Sequence, residues 1–497
     1  MRTLILGTFL CFASTLSATA YYVKQSGNDN LDGTSPETAW LSMQHAADVV
    51  QPGDIVLVGD GQYSGFDLRT SGTAQKPITF RADGESVIIN QPNGKTNDGI
   101  NIENADYVIL EGFRVHDQPR NGIRLVLANH CTVRNCICTN NYERGIFTGF
   151  TDDLLLEHNT CSGSIDEHGI YVSNSSDRAI IRYNTCFNNN ASGIQINADA
   201  TQGGDGISSN PKIYGNILYG NGSAGGAAIN LDGVQGAEIF NNLIYENHAT
   251  GIALFTIDGG GPSTGASIYH NTIVQASDGR WCILLNDGAT GATVANNILF
   301  NKHSFRGAIA VSRESFPNLR SDYNVVVDAM SDEAGDSQVS LFEWQVLGFD
   351  KHSRLAATLD ELFVNAAGAD YHLSATSKAI DAGDATYAND HDLEGNARPM
   401  GLAPDAGCYE SAASSSARHL TEIPELIVMQ ETGIISWQNI PEGSRLHVFD
   451  LTGRSWCYLN PIHTGAFTWS VPQASPFYFA YQIQDPQGHV SAGWIRN

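Results

Sequence analysis

Between residues 97 and 327 the chain repeats a short alternation of apolar and polar positions. A Gly-Ile or Ala-Ile pair opens a strand at Gly99-Ile100, Gly122-Ile123, Gly145-Ile146, Gly169-Ile170, Gly193-Ile194, Ala228-Ile229, Gly251-Ile252 and Ala308-Ile309, with Cys282-Ile283 as a variant. Successive isoleucines stand 23, 23, 24, 24, 35, 23, 31 and 26 residues apart. An asparagine follows a second apolar strand in the same phase, at Asn159, Asn184, Asn216, Asn242, Asn271, Asn297 and Asn324. Each unit has room for two or three strands, none able to bury a face alone, so neighbours must stack. Gly, Asn and β-branched residues are dense, and runs of helix formers at helical spacing are missing, which excludes helical repeats. A leucine-rich horseshoe would need leucines at fixed offsets, and these are absent. The pattern predicts a right-handed parallel β-helix of about nine or more coils. Its asparagines form a ladder at each bend, and Cys138, Cys161 and Cys186, two residues beyond the asparagine slot, form an interior stack.

The flanks read differently. Residues 21–96 hold an N-terminal cap and the first coils, with a short helix in Ala39 to Val50, the Pro52-Gly53-Asp54 turn and a strand at Ile55 to Val58. A helix there would hide the open edge of the first coil. Residues 328–410 lose the repeat and form a C-terminal cap, 411–418 are a polar linker, and 419–497 alternate as a small β-sandwich. Residues 1–20 read as an export signal, with Arg2 ahead of an apolar run from Leu4 to Leu10 and Ala18-Thr19-Ala20 before the cut. The expected location is extracellular or on the cell surface. No later stretch is apolar for long enough to span a bilayer as a helix.

Composition narrows the partners. The formal net charge of −26 argues against nucleic acid or an anionic membrane, because both need a basic stripe. An anionic polymer would have to bind through local basic residues. The cysteines are scattered without a CxxC pair, and the spacing of Cys136 and Cys138 inside an apolar repeat fits core packing better than metal ligation. A monomer is expected.

Tyr21-Tyr22-Val23, Ser26-Gly27-Asn28-Asp29, Asp32-Gly33-Thr34-Ser35 and Gln51-Pro52-Gly53-Asp54 together resemble the opening of secreted β-helix proteins of the pectate lyase superfamily. The repeats resemble the carbohydrate-binding and sugar-hydrolase β-helix class, which includes lyases, hydrolases and mannuronan C5-epimerases. Glu167-His168-Gly169-Ile170-Tyr171-Val172-Ser173 looks like an epimerase coil, but Asp166-Glu167-His168 stands where those enzymes carry Asp-Pro-His. Residues Ala379 to Asp384 and Pro404 to Glu410 are similar to a cap found after such helices, and Val448 to Arg454 resembles the sorting domain of type IX secretion. The resemblance implies polysaccharide as the partner and export across an outer membrane.

Strand alternation then selects the chemistry. With the isoleucines inward, the outward column reads Asn101, Arg124, Phe147, Tyr171, Gln195 and Asn230, and a second column contains Glu103, Asn197 and Asp232. Insertions at 198–210 and 256–265 begin just after the same strand, so they should wall this face. Elimination on a polyuronate needs a neutralised carboxylate, a base and an acid. The candidates are His168 as base, Tyr171 as acid or base, and Arg124 and Arg144 as neutralisers, with Gln195, Asn197, Asn230, Asp232 and Phe147 binding substrate. Hydrolysis would instead use a pair of carboxylates from Glu143, Glu167 and Asp232. Calcium is a further expectation, if Asp199, Asp205 and Asp232 converge. The leading expectation is a lyase acting on an acidic polysaccharide. A glycoside hydrolase, or a glycan-binding or adhesive surface protein without catalysis, stands beside it.

Overall fold

The computed structural model describes residues 18–412 and, beyond them, 427–431, 434–438, 440, 442–450, 455–459, 466–470, 478–484 and 490–496. Residues 1–17 of the expected signal, residues 413–418 of the expected linker and Leu451 to Arg454 of the sorting-like motif lie outside the described residues. The chain is an all-β, right-handed parallel solenoid of about twelve turns. Its contacts divide it into two compact units, one running up to residue 267 together with 285–290, the other comprising 268–284 and 291–497.

In the first unit each full turn contributes a strand to three parallel sheets. One complete turn is Arg144–Gly149, Leu155–Glu157 and Thr160–Ser162. Ile100, Ile123, Ile146, Ile170, Ile194, Ile229 and Ile252 are register partners in one sheet and fully buried, so the repeated isoleucines are a single interior column. The glycine before each has a packing cause. A Cβ on Gly99, Gly122, Gly145 or Gly169 would lie 2.6–2.8 Å from the carbonyl oxygen of the next turn's glycine, closer than atoms can approach. The turn before Ile100 carries the same feature in another form: Phe66 pairs with Ile100, and Gly65-Phe66 stands in for Gly-Ile.

Asparagines close the bends. Asn159 takes its neighbour's Oδ1 at Asn184, Asn184 takes that of Asn216, and Asn216 that of Asn242, by backbone N–H and side-chain Nδ2 donors at 2.9–3.1 Å. A second ladder, Asn189 to Asn221 to Asn247, runs through the bend before the Gly-Ile strand. Each link satisfies buried backbone groups that a bend leaves without a strand partner. Cys138, Cys161 and Cys186 are register partners and buried, as expected of an interior stack.

The N-terminal edge is closed by the helix Met43–Val49, capped by the Ser42 side chain. Gln44 of this helix accepts from the Asp67 N–H at 2.8 Å and donates to the Asp67 carbonyl at 3.1 Å, replacing the ladder partner that the strand Phe66–Leu68 lacks on that side. Asp29 accepts from Leu41 N, Ser42 N and Ser42 Oγ, so it is a turn residue.

The second unit uses the same construction. Thr272–Gln275, Ile298–Asn301, Val325–Val326 and Arg354–Leu355 pair in parallel, and Asn271, Asn297 and Asn324 form an asparagine ladder of their own, which Asp350 and Ser353 end. The segment resembling a cap is fastened here by buried Arg398, which donates to the carbonyls of Asp405 and Gly407 and contacts His270 Nδ1. Beyond residue 427, strands form two antiparallel sheets whose Ile435, Trp437, Trp469, Leu446, Val448, Tyr481 and Ile483 share one core. No helix among the described residues is long and apolar enough to cross a membrane.

Candidate functional site

Register places the expected column on one wall. Asp67, Asn101, Arg124, Phe147, Tyr171, Gln195 and Asn230 are successive Cα partners in the first unit. The wall is not uniformly open. Asn101, Gln195 and Asn230 are buried, whereas Arg124, Phe147 and Tyr171 are half-buried and form its accessible stretch.

Arg144 organises the centre. Its Nη1 lies 2.6 Å from Glu143 Oε2 and its Nη2 2.5 Å from Glu167 Oε2, while its guanidinium carbon sits 4.9 Å from the Phe147 ring and 5.0 Å from the Tyr171 ring. A partly desolvated cation between two rings gains about 2 kcal/mol, which fixes the group even if one carboxylate leaves it. Arg144 Nε is buried without a hydrogen-bond partner. Burial raises the Glu167 carboxyl above its ordinary range; Arg144 opposes this, and Glu143 and Asp166 reinforce it. Burial also raises the Tyr171 phenol, against the pull of Arg144 and a hydrogen bond from Asn197.

His168 packs edge-on against Tyr171 at 5.1 Å, and its Nε2 lies 3.5 Å from Glu167 Oε2. Its Nδ1 accepts from the Ser192 N–H at 3.1 Å. Burial, and secondarily the Arg144 charge, push its pKa down to about 3, so the ring is neutral. A neutral imidazole whose Nδ1 accepts must carry its proton on Nε2. This corrects the expected base role: the Ser192 N–H takes the only lone pair of the His168 ring, whose protonated Nε2 lies 3.5 Å from Glu167 Oε2.

Several expected binding residues have other work. The Gln195 Oε1 accepts from Asn230 Nδ2 at 2.7 Å and from Ser192 Oγ at 3.2 Å, so these buried amides are tied to one another within the wall. Asp232 is buried and takes the backbone N–H groups of Ile257, Asp258 and Gly259 at 2.9, 2.9 and 3.2 Å. It is an anchor for the second insertion, so it neither binds substrate nor forms a hydrolytic pair. The expected calcium site also fails: Asp199 caps Thr201, Asp205 accepts from Ile207 N, and no cluster of three or more potential metal ligands occurs among the described residues.

The two insertions do wall one side. Gly260 N donates to Gly206 O at 2.7 Å, Ala200 N donates to Asp258 O at 3.0 Å, and Asp258 Oδ2 accepts from Asn197 Nδ2 at 3.1 Å. Asn197 thus links Tyr171 to the loop, and its own Oδ1 is buried without a partner. Asp258 was not legible in the sequence, because an insertion has no register.

Arg124 belongs to a neighbouring cluster, donating to Asn101 Oδ1 at 2.7 Å and Glu103 Oε2 at 2.9 Å. That cluster also holds Asp67, Arg69 and Lys95, which the markers missed because their turn lacks a Gly-Ile pair. The signal that could have found it is Gly65-Phe66-Asp67-Leu68.

Comparison with known proteins agrees with the fold. The family described as Pel9A-like, right handed beta helix region, matches residues 21–163. The solved structure of pectate lyase Pel9A is similar with a TM-score of 0.54 at 16% identity, over 80% of this chain and 97% of that one. A rhamnogalacturonan lyase gives a TM-score of 0.47 at 16% identity, over 62% and 87% of the two chains. The uncharacterized protein YwoF of Bacillus subtilis is 33% identical over 99 residues, 20% of this chain, and the chain spans only 19% of that relative's length. At these identities the structural likeness speaks for the right-handed β-helix and not for a reaction.

Proposed function

We propose that this protein is a polysaccharide lyase that cleaves an acidic glycan by β-elimination on the wall centred on Arg144, Glu167 and Tyr171. The observation that carries the reading is one guanidinium held against a tyrosine ring and bonded to a carboxylate whose pKa is raised. Elimination needs positive charge where the sugar carboxylate gains electron density, a base for the neighbouring C–H, and an acid for the departing oxygen. Arg144 supplies the charge. Glu167 takes the proton, the electrons of the broken C–H bond form a carbon–carbon double bond, and the glycosidic C–O bond breaks with its oxygen taking the Tyr171 proton. A raised carboxylate is a stronger base than an ordinary one, and Glu143 keeps Arg144 in place once Glu167 is neutral. His168 steadies Glu167 from its Nε2 side.

A second reading has its own support. Glu143 and Glu167 share Arg144, and burial raises the Glu167 carboxyl; two neighbouring carboxyl groups, one of them protonated, are what a glycoside hydrolase requires. Products separate the two. Incubation with alginate, pectin, a glycosaminoglycan and neutral glycans should give an unsaturated uronate that absorbs in the ultraviolet from at least one acidic polymer. New reducing ends without that absorbance would replace elimination by hydrolysis, and neither product would leave a binding protein.

We extend the proposal to location: the chain is exported, and its C-terminal sheets act as a sorting domain of the type IX kind. Cell fractionation with and without residues 419–497 tests this, with loss of the extracellular form expected on deletion. A monomer is the proposed state, which size-exclusion chromatography with light scattering checks.

A further inference from the structure

We propose that Arg69, Lys95 and Arg124 form a separate subsite for an anionic group on a sugar further along the polymer than the one that is cleaved. This rests on the reading that the wall handles a polysaccharide, and adds where the polymer's charge is read. The chain carries only 27 Lys and Arg against 53 Asp and Glu. Against that excess, three cations gather at the N-terminal end of the wall around two carboxylates, so the cluster retains one net positive charge.

The foundation of the cluster is Asp67, whose side chain is fully buried. It is gripped by Arg69 Nη2 at 3.0 Å, Lys95 Nζ at 3.1 Å and Asn101 Nδ2 at 2.6 Å. Burial pushes its pKa up, but these donors outweigh burial and hold it below the usual carboxylate range, so it stays ionised. Glu103 bridges Arg69 at 3.2 Å and Arg124 at 2.9 Å. A buried anion thus orients cationic heads that remain open to solvent: the side chains of Arg69 and Lys95 are 44% and 52% exposed. Exposed ion pairs contribute little to stability. Burying Asp67 is costly unless it is paired, so the arrangement is a poor stabilising device and a good way to fix two mobile cations.

Distance separates this subsite from the reacting group. Arg124, Phe147 and Tyr171 occupy consecutive turns, so Arg124 lies ~10 Å from Tyr171 along the wall, and Asp67, two turns further, ~20 Å away. An anionic group held there belongs to a sugar further along the polymer than the one being cleaved, which requires a substrate of several sugars lying along the solenoid axis. Carboxylate and sulfate share the chemistry of recognition, and the test separates them.

The test is calorimetric binding of alginate, galacturonate and sulfated oligosaccharides, with a neutral dextran oligomer as control. It uses the full chain and the Lys95→Gln variant, which leaves Arg69 and Asn101 on Asp67. An anionic oligomer should bind the parent and lose roughly tenfold in affinity in Lys95→Gln, the size of one charge-assisted hydrogen bond. Arg69→Lys, which keeps the charge, should lose less than Arg69→Gln. Where turnover is measured, the loss should fall on KM with kcat retained. Unchanged affinity in Lys95→Gln and Arg69→Gln, or equal binding of the neutral oligomer, would overturn the subsite. Lys95-dependent binding of an anionic oligomer that is never cleaved would uphold it and reject the lyase. Cleavage indifferent to both variants would do the reverse.

Discussion

His168 shows how one hydrogen bond changes the role of a residue. A histidine beside a tyrosine and two arginines reads as a base, yet the Ser192 N–H occupies the lone pair that a base needs. His168→Gln, which keeps a neutral donor, should therefore retain most turnover, while His168→Ala should lose on the order of tenfold through the freed Glu167. The pH behaviour follows. The folded imidazole stays neutral down to about 3, whereas an unfolded one takes its proton near 6.5. The unfolded state binds more protons between these values, so this residue makes stability fall as pH drops through that window and has no effect above it. Nitrogen-edge NMR of the His168 ring should show no titration between about pH 8 and 5. That Tyr171, Arg144 and Glu167 come together was legible from alternation and phase. The tautomer was not, because it depends on a backbone N–H in the next turn.

At the scale of the element, the Gly-Ile marker and the asparagine slot are close-contact devices, which is why they showed in the sequence. Gly169→Ala would set a methyl 2.8 Å from the Gly193 carbonyl and should destabilise by about 1–3 kcal/mol. Asn184→Ala would remove the five bonds of its side chain, two accepted from Asn159 N and Nδ2 and three donated to the Leu156 and Arg182 carbonyls and Asn216 Oδ1, costing on the order of 3 kcal/mol. Urea unfolding checks both values. If Asn184→Ala unfolds like the parent, the ladder is not a source of stability. Burial of Gln195, Asn230 and Asp232 escaped the pattern for a related reason. Alternation assigns a side of the strand, whereas cover over that side comes from other turns and from insertions.

Across the molecule, the described cysteines are all free, and every one except Cys457 is buried. Burial pushes the Cys131 and Cys408 thiols up to about 12. The native protein should melt at the same temperature with and without reductant, and alkylation should reach Cys457 first; a drop of several degrees in reductant would mean that two of these thiols are joined as a disulfide. The overall negative charge is offset locally, since Arg69, Lys95, Arg124 and Arg144 lie along one wall against Asp67, Glu103, Glu143 and Glu167. That wall exists only because turns distant in sequence share a register, and the proposed chemistry depends on its Tyr171. The most direct measurement is the initial rate of ultraviolet-absorbing product from an acidic glycan, for the parent and for Tyr171→Phe, alongside binding of the same glycan. Without the Tyr171 proton the rate should fall by about a hundredfold or more with binding retained. Undiminished absorbance from Tyr171→Phe, or new reducing ends without absorbance from the parent, would contradict elimination through Tyr171.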